Sequence, residues 1–284
     1  MRSPLNQLFF VFLLALTSTA LSAQLELGVK AGGSVYSGDL SPSTFGIFAD
    51  DINFAGGAYL RYRPTTRFGV RVNGNFGRLS GEDITSLPNG FGERTEVRRE
   101  FRSSLSEFNI VAELDLFYVG DPESNFLAPY IFAGIGVLSF NPQARNQEGN
   151  YVDLQPLRTQ GQGSGLPGYE PTPYELTTTV GIVGGGVRVR FAERFVVGLE
   201  LGGRIPGTDN LDDISSQLVR YSDVLSQTGS AGAFFSNPAV TSPSDVPDLT
   251  YNRGGENNDY YFVGGLTLGI AIGRGSGKSG CYTF

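Results

Sequence analysis

Eight segments of this chain alternate apolar residues with small or polar ones, and three tight turns take turns with four long polar loops between them. No other feature restricts the fold as much. Period-two alternation puts one side chain set on each face of a strand, and lopsided connections are what an all-β, eight-stranded antiparallel transmembrane β-barrel requires, with short periplasmic turns and long extracellular loops. The first segment, residues 24–36, sets Leu25, Leu27, Val29, Ala31 and Val35 against Glu26, Gly28, Lys30, Gly32 and Ser34. Charge opposite an aliphatic stripe suits a wall with lipid outside and a polar interior.

The other segments repeat the pattern. Residues 53–63 place Phe54, Ala58, Leu60 and Tyr62 against Tyr59, Arg61 and Arg63, and Pro64 to Arg67 forms a turn into Phe68, Val70, Val72 and Phe76. A polar loop is expected over 81–99. The fourth strand then carries Phe108, Ile110, Ala112, Leu114, Leu116 and Tyr118 against Asn109, Glu113 and Asp115, and Gly120-Asp121-Pro122 turns it back. In the fifth, 127–140, Ile131, Ala133, Ile135 and Val137 point outward, Gly134 and Gly136 inward. After a loop over 141–174, strand six ends on Val187, Val189 and Phe191, with Arg188 and Arg190 opposite. Ala192-Glu193-Arg194 turns the chain into strand seven, where Phe195, Val197, Leu199 and Leu201 oppose Glu200 and Arg204. The longest loop, 206–258, precedes a last strand over 259–273. Each strand reaches the ~9–11 residues that a tilted crossing needs.

The N-terminus reads as an export signal over 1–23: Arg2, an apolar run over 8–16, then small residues up to Ala23. Cleavage after Ala20 is the alternative. The run is too short for a membrane helix, and no later stretch nears the ~20 apolar residues that one needs. The barrel then occupies 24–273, and 274–284 is a basic periplasmic tail with Arg274 and Lys278. A net charge of −7 leaves no basic stripe for phosphates, so no nucleic-acid partner is expected. Cys281 is the one cysteine, which excludes an intramolecular disulfide.

Glu26, Glu113 and Glu200 fall on the inward faces with Lys30, Arg61, Arg71, Arg188 and Arg204. Eight strands enclose a space that side chains fill, and unpaired charges there are costly. A connected network of carboxylates and cations is therefore expected, with a gated ion or proton path as the alternative.

The chain has no histidine. The general base that barrel hydrolases commonly use is thus missing, as is any Cys/His cluster for zinc. Asp50-Asp51 and Asp212-Asp213 are sequence neighbours, which form no acid/base pair by spacing alone. An enzyme, a cofactor and a small-molecule substrate are not expected. In the longest loop, Asp209, Leu211, Asp212 and Asp213 form an acidic motif. It lacks the spacing of an EF-hand. It reads instead as a helix start, with Asp209 as cap and Leu211, Ile214, Leu218, Tyr221 and Leu225 at helical spacing. Calcium held by oxygen ligands is the alternative.

The chain resembles the PorG-like family of Bacteroidota outer-membrane β-barrel proteins associated with type IX secretion. The resemblance lies in residues 27–40, 128–136 and 140–144. More distinctive are residues 154–163, Leu-Gln-Pro-Leu-Arg-Thr-Gln-Gly-Gln-Gly, and 208–215, Thr-Asp-Asn-Leu-Asp-Asp-Ile-Ser. Gln160 and Asn210 stand where that family usually has Glu and Tyr. The resemblance implies a non-enzymatic component in the cell outer membrane that anchors or stabilises a periplasmic secretion ring. It brings no catalytic residues. The expected partners are outer-membrane lipid and periplasmic ring subunits. A structural or adhesive surface barrel working through its loops is the rival reading, a small pore the third, and a soluble sandwich the fallback fold.

Overall fold

The computed structural model describes residues 24–41, 51–91, 93–122, 124–242, 249–254 and 258–272. The expected signal segment, the tail, Cys281 and Asp50 lie outside them.

Among the described residues, eight long strands run antiparallel, each bonded to its sequence neighbours. They are β1 (Gln24–Ser37), β2 (Asn53–Arg63), β3 (Phe68–Pro88), β4 (Arg94–Asp115), β5 (Phe126–Arg145), β6 (Thr177–Phe191), β7 (Phe195–Pro206) and β8 (Tyr260–Ile272). Pairing of β1 with β8, from Leu25 opposite Ile272 to Ser37 opposite Tyr260, closes the ring. The fold is an eight-stranded antiparallel β-barrel, and closure leaves no sheet edge for lipid to meet.

The outer wall is apolar where a bilayer would touch it. Leu27, Val29, Ile110, Ile135, Leu199 and Leu268 are between 48 % and 70 % exposed. Exposed apolar residues on every strand form the continuous belt of a transmembrane barrel rather than a soluble surface. Aromatics edge it: Phe54 and Phe76 pair at 6.0 Å on the long-loop side, Phe191 and Phe195 at 5.7 Å on the short-turn side. Phe54 and Tyr62 stand eight residues apart on β2, which is ~26 Å of strand.

The short turns lie together. The β6–β7 tip is a three-residue loop between the paired Phe191 and Phe195, in which Ala192 and Glu193 take left-handed φ of 48° and 59°. The β4–β5 connection departs from expectation. β4 ends at Asp115 rather than continuing to Tyr118 on the apolar face, and Tyr118 accepts a bond from Arg63 Nη2 at 2.7 Å. The Tyr118 phenol thus joins Asp115 and Thr66 O around the buried Arg63 guanidinium at the barrel rim.

On the opposite side the expected loop over 81–99 is instead strand. β3 continues to Pro88 and β4 begins at Arg94, with Gly81 opposite Phe101 and Pro88 opposite Arg94. Above the belt both faces of a hairpin meet water or protein, so polar composition does not interrupt pairing. The Arg98–Glu82 pair at 2.6 Å links its strands. β5 likewise runs past 140 to Arg145, where Tyr151–Asp153 pairs with it.

The expected helix start at Asp209 is also displaced. Residues 209–217 form turns, Leu218–Arg220 pairs with Thr250–Asn252, and the helix α1 occupies Tyr221–Ser236 with a kink at Gly229. Asp213 has φ of 66°, a conformation no α-helix continues through. Leu211 and Ile214, assigned by spacing to a helix face, are fully buried in the core at the barrel mouth. There they join Tyr36, Leu40, Leu79, Phe101 and Tyr261. A second apolar cluster, including Val219, Tyr221, Val224 and Tyr251, holds α1 to the paired strands beside it. The long loops thus build a folded cap.

Candidate functional site

Inward side chains of the lower barrel form one ion-paired network. Glu113 of β4 sits at its centre. It meets Arg61 Nε at 2.7 Å, Arg71 Nε at 2.8 Å and Arg188 Nη1 at 2.8 Å. Arg71 continues to Glu200 at 2.7 Å, Lys30 reaches Glu200 at 3.5 Å, and Arg61 pairs with Glu26. Arg204 lies higher, 3.5 Å from Glu107. The period of two is the whole reason these residues meet: each is an inward position on its strand, and most of their outward neighbours are aliphatic.

Glycine makes room for this packing. A Cβ at Gly28 would lie 2.3 Å from the Tyr59 ring, so only glycine lets that ring fold over β1. From there the Tyr59 hydroxyl donates to Glu26 Oε1 at 2.8 Å. Tyr130 donates to Glu200 Oε2 at 2.9 Å from the far wall. Charges this deeply buried need full pairing, because a lone one costs several kcal/mol (order of magnitude).

All eight residues of the expected interior set, Glu26, Lys30, Arg61, Arg71, Glu113, Arg188, Glu200 and Arg204, point into the lumen and take part in ion pairs. Arg63, Asp115 and Glu107 belong to the same lattice and were not in that set. Asp115 pairs with Arg188 and, at 2.9 Å, with Arg63. Their inward parity on β2 and β4 was the available signal.

Above the charged layer the lumen turns apolar, with Leu105, Leu138 and Phe140 around the Leu211 and Ile214 stopper.

The acidic motif ties the stopper down. The Tyr36 hydroxyl lies 2.8 Å from Asp212 Oδ2 and 2.6 Å from Asp259 Oδ1 and gives its one proton to either, while Asp259 also accepts from Leu211 N at 2.7 Å and Asp212 from Ile214 N at 2.8 Å. Burial, then the charge of Asp39, pushes the Asp212 carboxyl up. Burial, then Asp212, raises Asp259. Asp209 accepts from Asp259 N at 3.1 Å instead of capping a helix. Asp213 holds the neighbouring loop: Tyr174 donates to it at 2.8 Å, Arg253 at 3.0 Å, and Thr159 also bonds it. Burial beside Asp213 raises the Tyr174 phenol well above its ordinary range.

The two loop segments that distinguish the sequence therefore pack on each other. Gln160 Nε2 donates to Ser215 O at 3.1 Å and Ser215 Oγ to Gln160 Oε1 at 2.9 Å, so a neutral amide serves at a position where a glutamate would lose the first of these bonds. Among the described residues no group of three or more His, Cys, Asp or Glu is placed to hold a metal.

Residues 6–160, more than half of the chain, match the family described as Domain of unknown function (DUF6089). No curated protein matches the sequence. Three solved structures are similar at low identity. The N-terminal β-barrel domain of Pseudomonas aeruginosa OprF has 12% identity over 88% of this chain and 98% of that one, TM-score 0.33. The attachment invasion locus protein Ail of Yersinia pestis has 12% identity over 88% and 97%, TM-score 0.36. Neisserial surface protein A has 11% identity over 88% and 97%, TM-score 0.40.

Proposed function

Because this chain belongs to the DUF6089 family, for which no function is given, we propose a role from its own geometry: an outer-membrane β-barrel that performs no chemistry and works by contact, as an anchoring or stabilising component of a type IX protein secretion complex. The observation that carries the contact role is the filled lumen. The Glu113 lattice below and the Leu211–Ile214 stopper above leave the outer surfaces as the working parts. Those surfaces are the lipid belt, the periplasmic turns and the extracellular cap.

The secretion assignment rests on the resemblance carried by residues 154–163 and 208–215. Their mutual packing through Gln160, Ser215, Thr159 and Asp213 supports it, since segments that define a subfamily belong to one structural unit here. Periplasmic ring subunits would meet the turns at Pro64–Arg67, 116–125 and 192–194. Affinity purification from membranes, with identification of co-purifying proteins, tests this. Ring subunits that are retained by the intact chain, and released when the three turns are exchanged for unrelated short turns, fit the proposal. A folded barrel that retains no periplasmic protein overturns it.

The cap's own apolar core favours one second reading, a surface barrel acting through its loops. Loss of surface binding on deleting 146–176 or 207–249, with secretion intact, would select it.

A further inference from the structure

Arg99 lies on the β4 extension, above the lipid belt. It is 7 % exposed, and its Nη1 donates to Arg253 O at 2.5 Å. Its Nη2 has no partner, and it is the only buried arginine Nη atom in that position among the described residues. The barrel's other buried arginines end on carboxylates or, for Arg190, on Gln24 and Glu193 O.

Asp212, Asp213 and Asp39 act on Arg99 through their charge, but among the described residues no carboxylate makes an ion pair with it. Glu82 holds Arg98 at 2.6 Å, Glu100 holds Arg145 at 3.4 Å, and Asp213 holds Arg253 at 3.0 Å. Asp212 accepts from Tyr36 and Ile214. Burial, with Arg253 beside it, lowers the Arg99 pKa to about 9, and the opposing charges of Asp212, Asp213 and Asp39 do not offset this.

Arg99 borders a cavity of about 80 Å³ lined by four arginines, Arg98, Arg99, Arg145 and Arg253, against two carboxylates, Glu100 and Asp212, with Phe234, Phe235 and Pro238 as an apolar wall. At ~10–15 Å³ per water, this holds a few waters or one small oxyanion. A guanidinium fork matches carboxylate and phosphate oxygens in geometry and charge. We propose that this cavity is an oxyanion site in the cap, taking one carboxylate or phosphate group with Arg99 as its anchor and Arg98 and Arg145 at its rim. The remainder of any larger ligand would lie along the Phe234–Phe235 wall, toward solvent.

The test uses the full chain refolded in detergent micelles at constant ionic strength, titrated calorimetrically with sodium phosphate and, separately, sodium acetate against a chloride background. Saturable binding of either is expected. Phosphate alone marks a phosphoryl ligand, acetate alone a carboxylate. Arg99→Gln should weaken binding about tenfold or more, Arg98→Gln less than about threefold. Arg99→Lys, which keeps the charge, should retain part of the affinity and serves where the glutamine variant does not fold, as judged by heat-modifiable gel mobility. No saturable binding of either anion to the wild-type chain, or unchanged affinity in a folded Arg99→Gln variant, overturns the site.

Discussion

Arg71 and Glu200 meet at 2.7 Å across the full width of the barrel. They are 129 residues apart in sequence, on β3 and β7, strands that stand four positions from each other whichever way the ring is followed. Backbone bonds tie each strand only to its neighbours. This pair and the Glu113 lattice are struts that brace opposite walls, so the lumen is a structural element in its own right.

Glu113→Gln should therefore destabilise the barrel by about 3–5 kcal/mol, the range for removing one partner from a buried ion pair. Three guanidiniums would lose their shared carboxylate. Urea unfolding in lipid vesicles checks this, with Glu82→Gln as the comparison. Glu82 bridges an exposed Arg98, and its loss should leave the unfolding midpoint unmoved.

The wild-type barrel should show no steady conductance in planar bilayers. Arg71→Ala combined with Glu200→Ala removes the strut and its filling, and should produce small, flickering current steps if the variant inserts. Steady wild-type current would contradict the filled lumen.

Arginine at Val29 or Leu268 should impair insertion, since a lipid-facing arginine near the bilayer midplane costs ~2–4 kcal/mol. Folding yield into vesicles measures it. Arginine at Tyr260, at the cap edge of β8, should cost far less.

The cap should tighten in acid. A carboxyl whose folded pKa stands above its unfolded value keeps in the native cap a proton that the unfolded chain has released. Stability then falls as pH rises from the ordinary carboxylate range through the folded value, about 7 for Asp212. The groups facing it are Tyr36, Asp39, Asp259 and Arg99. Protease cleavage of the cap should increase at least about tenfold between pH 5 and 8, one pKa unit being tenfold. Asp212→Asn, which can still accept from Ile214 N, should flatten that dependence and protect the cap at pH 8.

The barrel was legible because one physical rule, alternation across a two-sided wall, acts on every strand. Given Val29 and Leu27 outside, Glu26 and Lys30 must be inside. The same rule reaches Arg63 and Asp115, the last residues of β2 and β4, and Glu107, which stands just before the expected start of the fourth strand at Phe108. The β3–β4 hairpin was hidden because its alternation is polar on both faces. The segment 209–217 was hidden for a different reason. Leu211 and Ile214 have helical spacing, yet their partners, Tyr36 and Asp259, lie far away in sequence, and the tertiary bonds override the local preference. Arg99 carried no signal at all, since only the cap's folding shows that its terminal nitrogen is unmet.

The central claim, a cylinder with lipid outside and ion pairs within, is tested most directly on β8. Single cysteines placed at positions 266 to 270 in a Cys281→Ser background would be spin-labelled, and the labels' accessibility to oxygen and to a water-soluble nickel chelate measured in vesicles. Labels at 266, 268 and 270 should be reached by oxygen from the lipid phase, and those at 267 and 269 by neither reagent. Equal access of the nickel chelate to Leu266, Leu268 and Ile270, or a pattern without a period of two, would contradict the account.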